Sequence, residues 1–176
     1  MKDRIVVSAD SHVMEPGDLW LTRLDRGDRD RAPRVEANEE GSGFSFVVPG
    51  IMRQPVAGAF AAGKKGADYK QHLEQAGYEA AHPGGWDPDA RLDAMATDGV
   101  VAEVLYTTLG MRLFPLRDAE LQRKCFAAFN DWLAEYTGHH PERLLGIGAI
   151  SLWDIDAAIA ELERCAKLSD EMGAGS

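Results

Sequence analysis

A chain of 176 residues with 45% hydrophobic side chains can bury one sizeable core, which predicts a single folded domain and excludes a disordered one. Its 29 acidic and 19 basic side chains leave a net charge of -10, which argues against nucleic acid and anionic lipid surfaces as partners. No basic patch overrides that charge: the longest cluster is Lys64-Lys65, and the arginines between Arg23 and Arg34 alternate with Asp25, Asp28 and Asp30.

Residues 5–9, Ile-Val-Val-Ser-Ala, form a short, continuously apolar, β-branched run of the kind expected of a parallel strand covered on both faces. This run is too short for a signal h-region, and no later segment approaches the roughly 18 apolar residues of a membrane span. Residues 17–85 shift towards Gly, Pro and charge, with one strand-like stretch at 44–48 closed by Pro49-Gly50. They read as an insertion carrying one hairpin. In "GGWDPDARLDAMATDGV", Asp87 can cap a helix, Pro88 suits its first position, Leu92, Met95 and Ala96 share a face, and Gly99 ends it. Residues 100–106, "VVAEVLY", predict a second buried strand, followed by the loop "TTLGMRLFPLR". Asp118 caps the longest predicted helix, whose apolar stripe is Leu121, Cys125, Phe129, Trp132, Leu133 and Tyr136. A third strand follows at 144–150, and Asp154 caps a third helix with Ile155, Ala158, Ile159, Leu162 and Cys165 expected on its buried face. Cys125 and Cys165 therefore read as reduced core residues, suiting a cytoplasmic protein, rather than as a disulfide or zinc framework. Trp86 and Trp132 read as packing residues. Alternation of strand and helix predicts an α/β fold with right-handed crossovers and a parallel sheet.

In parallel α/β folds the ligand site lies at the carboxyl ends of the strands. The run "RIVVSADSHVMEP" puts Asp10 and His12 there, at i and i+2, on one side of the pleat. A carboxylate and an imidazole so placed can share a divalent cation: Zn²⁺, Mn²⁺ or Fe²⁺. Taken alone, the pair favours a plainer assignment, with Asp10 capping a turn and His12 bonded to backbone.

Four stretches change that balance: "SADSHVMEPGDLW", "GGWDPDARLDAMATDGVVAEVLYTTLG", "LQRKCFAAFNDWLAEY" and "PERLLGIGAISLWDIDAAIAELERC". Together they closely resemble the amidohydrolase-related family of metal-dependent hydrolases and decarboxylases, the aminocarboxymuconate-semialdehyde decarboxylase-like group. The likeness is collinear over most of residues 4–168 and least distinctive between about 25 and 80. It implies a (β/α)8 TIM barrel and one divalent metal, zinc most often, with Asp10 and His12 matching the two ligand positions at the end of the first strand. Glu15 and Pro16 match the "EP" that frequently follows; Glu15 either contacts a ligand's water or caps the loop.

An eight-fold barrel takes about 250 residues, and only three strand–helix units are legible here. The expectation is thus a partial TIM barrel of about three β/α units with a long insertion after the first strand and a short polar tail at 169–176. By the resemblance, the catalytic aspartate and the remaining histidine ligands lie beyond residue 176. His139 and His140 fall on the opposite, amino-terminal face, while His72 and His82 read as surface or loop residues of the insertion. Candidates for substrate contact are Glu15, Trp20, Thr107, Thr108, Met111 and Arg112, and Arg112 either pairs with a substrate carboxylate or forms a surface ion pair.

Two functions fit. The chain is a truncated metal-dependent hydrolase or non-oxidative decarboxylase acting on a small carboxylate or a cyclic or aromatic substrate. Alternatively, it is a non-catalytic remnant or oligomerising module with a vestigial metal motif. Either predicts open strand edges and hence a homo-oligomer or a complementing carboxyl-terminal half as partner.

Overall fold

A computed structural model describes residues 5–39, 43–61, 63–75 and 77–173. In chain order the elements are β1 (Val7–His12), α1 (Leu19–Arg23), β2 (Arg34–Ala37), β3 (Phe44–Val48), β4 (Met52–Pro55), α2 (Gly66–Gln75), α3 (Pro88–Asp98), β5 (Ala102–Tyr106), α4 (Ala119–Thr137), β6 (Leu144–Gly146) and α5 (Ile155–Gly173). They fall into two units, divided after Glu15 and after His82.

The first unit holds a parallel sheet in the order β1-β5-β6. Its helices begin and end where side-chain chemistry dictates. Asp87 accepts from the backbone N–H groups of Asp89 and Ala90 at 2.9 and 3.1 Å, Pro88 takes the first turn, and Gly99 closes α3 at φ 70°. Asp118 accepts from Leu121 N–H and Asp154 from Ala157 N–H, each at 3.0 Å. Replacing Asp87 with alanine orphans two amides of α3. A loss of about 1 kcal/mol is expected in urea denaturation.

The core of this unit lies under α4, whose Leu121, Cys125, Phe129, Trp132, Leu133 and Tyr136 are all buried as the stripe predicts. Two polar side chains of α4 are buried with them. Asn130 mimics a strand neighbour: its amide donates to Ala149 O at 3.0 Å while its carbonyl accepts from Ala149 N–H at 2.7 Å. Gln122 donates to the carbonyls of Leu113 and Phe114 and accepts from Ser151 Oγ at 2.6 Å. The third strand, expected at 144–150, is consequently short, because part of the backbone beyond β6 bonds to α4 instead of to a strand.

Three expectations of burial are overturned in this unit, one of them Trp86, which reads as a packing residue yet is 47% exposed. The first strand is not covered on both faces: Ile5, Val6 and Val7 are 81%, 44% and 50% exposed. Among the described residues β1 is an edge strand, bonded to β5 alone. On α5, Ile155, Ile159 and Leu162 are exposed, and only Ala158 of the expected apolar face is buried. The helix packs on α4 through a neighbouring stripe about a quarter-turn away, where Arg164 bonds Asp131 at 2.5 Å and Glu161 accepts from Asn130 at 2.8 Å. Cys165 lies on that stripe, its thiol pushed up to about 11 by burial and by Glu161.

The second unit covers Pro16–His82. Where one hairpin was expected, three antiparallel strands occur in the order β2-β3-β4. Pro49 and Gly50 form the turn between β3 and β4, Gly50 taking φ 73° while Ile51 N–H returns to Val48 O at 2.9 Å. Trp20 packs on Phe46 with ring centroids 5.5 Å apart. His72 departs from its expected surface position: it is buried on α2, with Nε2 3.0 Å from Ala57 O and its ring edge-on to Phe60.

Candidate functional site

The end of β1 is irregular at the residues the sequence singles out. Its register with β5 runs from Ser8 opposite Glu103 to Ser11 opposite Leu105, one residue more on β1 than on β5, so a bulge falls at Ala9-Asp10. Bulges of this kind re-aim side chains at strand ends. Here Asp10 Oδ1 and His12 Nε2 stand 3.8 Å apart, on side chains 87% and 39% exposed respectively. That gap is too long for a hydrogen bond. It is near the roughly 3.3 Å that separates two ligands bonded to one zinc ion at 2.0–2.1 Å. The far side of the imidazole is anchored, with Nδ1 2.9 Å from the backbone oxygen of Thr107.

Behind His12 sits a buried guanidinium. Arg91 of α3 donates from Nη2 to the His12 carbonyl at 2.6 Å, from Nη1 to Glu103 Oε2 at 2.6 Å and from Nε to Tyr136 Oη at 3.0 Å. One planar side chain thus ties α3 to β1, β5 and α4. Burial pushes the Tyr136 hydroxyl up, opposed by the Arg91 charge.

Glu15 is wholly buried. Its Oε1 accepts from the N–H groups of Thr108, Leu109 and Gly110 at 3.0, 3.1 and 3.1 Å and from the Thr107 hydroxyl, and Oε2 accepts from Leu109 N–H at 3.0 Å. The carboxylate fills a cup of amides formed as the chain leaves β5, so it caps the loop from below. Burial pushes its pKa up, against the hydrogen bonds that pull it down. Gly110 completes the cup, because a Cβ there would overlap Thr107 Oγ1. Gly110→Ala is expected to cost about 2 kcal/mol through this overpacking, read as a lower melting temperature.

The remaining candidates scatter. Thr107 is buried with its hydroxyl committed to Glu15, Thr108 is half-buried, and Met111 and Arg112 are exposed on the short helical turn Gly110–Leu113 at the same strand end. Trp20 belongs to the other unit, packed on Phe46. His140 bonds Asp89 at 2.7 Å near the start of α3, and His82 is exposed. Among the described residues no group of three His, Cys, Asp or Glu side chains could hold a metal ion. Sequence reasoning missed Arg91 and its partner Glu103. The signal was there: Glu103 is a charge in the middle of the apolar run "VVAEVLY", and Arg91 shares a helix face with Met95, four residues on.

This architecture is an α/β fold whose parallel sheet matches part of a TIM barrel. It superposes on an amidohydrolase from Mycobacterium avium subsp. paratuberculosis with a TM-score of 0.69 at 20% identity, covering 96% of this chain and 47% of that one. A 2,6-dihydroxybenzoate decarboxylase from Rhizobium aligns with a TM-score of 0.49 and 19% identity over 97% of this chain and 36% of that one. By sequence, the chain is 30% identical over 83 residues to 2-amino-3-carboxymuconate-6-semialdehyde decarboxylase of Dictyostelium discoideum, 46% of this chain and 22% of that protein. No family model matches. The chain spans less than half the length of each of these relatives. Among the described residues no helix is long and apolar enough to cross a membrane.

Proposed function

We propose that Asp10 and His12 are two ligands of a divalent cation, zinc first and manganese or iron as alternatives, in a metal-dependent hydrolase or non-oxidative decarboxylase acting on a small carboxylate or cyclic substrate. The observation that carries this reading is the 3.8 Å approach of Oδ1 and Nε2 with Nδ1 already engaged by Thr107 O. An imidazole whose other nitrogen is held by a carbonyl is how proteins present histidine to metal. The donors fit a cation in kind and spacing, and they supply two of the three protein ligands a catalytic zinc keeps. Bound there, a divalent ion supplies Lewis acidity toward a substrate carboxylate or carbonyl. The chain's own part is orientation: Arg112, exposed on the turn that follows β5, offers a planar guanidinium to a substrate carboxylate, and Thr108 is half-buried at the start of the same loop.

Zinc titration followed calorimetrically tests the reading. One site per chain is expected, with weak affinity, and at least a tenfold loss in both Asp10→Ala and His12→Ala. Equal affinity in all three proteins would sink it.

A second reading, the assembly module, is favoured by the exposed stripe Ile155, Ile159 and Leu162 on α5. Light scattering on the double variant Ile159→Glu, Leu162→Glu checks it. Association of the parent chain that disappears in the variant is the expected result, and a monomeric parent would remove the reading.

A further inference from the structure

We propose that Glu15 is a positioning residue for His12: without touching the ring, it selects the imidazole tautomer that leaves Nε2 bare on the side of Asp10. This rests on the cation reading above for its purpose, though not for its geometry. A trans peptide is planar, so its N–H and C=O point in opposite directions. The peptide joining Thr107 to Thr108 directs its N–H onto Glu15 Oε1 at 3.0 Å, and the same plane therefore turns the Thr107 carbonyl the other way, where His12 Nδ1 meets it at 2.9 Å. A carbonyl oxygen only accepts, so Nδ1 carries the proton and Nε2 keeps its lone pair.

The orientation of that single peptide is what Glu15 sets. Leu109 N–H, Gly110 N–H and the Thr107 hydroxyl converge on the same carboxylate, so the plane cannot rotate without breaking several buried bonds at once. Arg91 supplies the complementary restraint by holding the His12 carbonyl at 2.6 Å, which fixes the backbone from which the ring projects. Glu15 thus reaches His12 across one peptide plane. The "EP" that follows D-x-H acquires a reason for its spacing, since the third residue after His12 comes beneath the loop that His12 leans on.

Nitrogen-15 NMR of the imidazoles in the metal-free chain, about two pH units above the ordinary histidine value of roughly 6.5, tests the proposal. In the parent protein the His12 signals are expected to report the Nδ1–H tautomer as the dominant form. In Glu15→Gln, with folding checked by circular dichroism, the Nε2–H form should rise at its expense, and zinc affinity should fall about tenfold, as for loss of an outer-shell partner. Dominant Nε2–H in the parent overturns the proposal without any variant, which keeps it testable even if Glu15→Gln fails to fold. So does a folded Glu15→Gln that retains both the Nδ1–H signal and the parent's zinc affinity. A parent chain that shows the tautomer and its Glu15 dependence but takes up no zinc supports the positioning role and defeats the metal reading alone.

Discussion

Arg91→Ala is expected to lose about 3–5 kcal/mol of stability, a large share of the roughly 5–15 kcal/mol that holds a typical domain folded. The reason is what is left behind. Glu103 would keep a mostly buried carboxylate that has lost the guanidinium 2.6 Å away, the Tyr136 hydroxyl would lose its donor, and the His12 carbonyl would be left to find water. Arg91→Lys keeps the charge, but an ammonium cannot reach three acceptors in one plane, so a loss of about 2 kcal/mol is expected there. The double variant Arg91→Met, Glu103→Leu removes both charges and is expected to recover much of what Arg91→Ala loses. Urea denaturation of the four proteins measures all three differences. A loss below 1 kcal/mol in Arg91→Ala would mean that the guanidinium does not join these elements. Because Arg91 also holds the backbone of His12, folded Arg91→Lys should bind zinc more weakly than the parent.

How legible this molecule is in its sequence depends on whether a residue's role is local. The caps at Asp87, Asp118 and Asp154, the stop at Gly99 and the stripe of α4 are local, and each occurs where the residues place it. The Asp10–His12 juxtaposition is nearly local and was also legible, although the bulge that re-aims it was not. Burial is different, because apolar periodicity states which face wants a neighbour and not whether one is present. That is why Val7, Ile155, Ile159 and Leu162 read as core yet stand exposed. The converse holds for Arg91, Glu103, Gln122 and Asn130, polar residues bonded inside to partners elsewhere in the chain that the local pattern does not name. His72 errs in the same direction, its partner Ala57 O being set by the fold of the second unit.

Glu15→Ala is expected to be the other severe substitution, costing about 5 kcal/mol. It removes the common acceptor of three backbone N–H groups and one hydroxyl in a buried cup, and each buried donor left unpaired costs about 1–3 kcal/mol. Water entering the space left by the side chain recovers part of the sum. Glu15→Gln keeps one carbonyl oxygen but sets an amide N–H₂ against the converging backbone N–H groups, so the peptide planes around it must shift, and a smaller loss of about 2 kcal/mol is expected. Amide hydrogen exchange separates this from a general loosening: Thr108, Leu109 and Gly110 should lose protection before the amides of α4, and uniform loss across both would contradict the cup. The pH dependence has a definite sign. Burial raises the Glu15 carboxyl above its ordinary 4.5, so the folded chain holds that proton more tightly than the unfolded chain. Its contribution to stability is therefore fully present below 4.5 and falls as pH rises from there through the raised value, while Glu15→Gln should lack that slope.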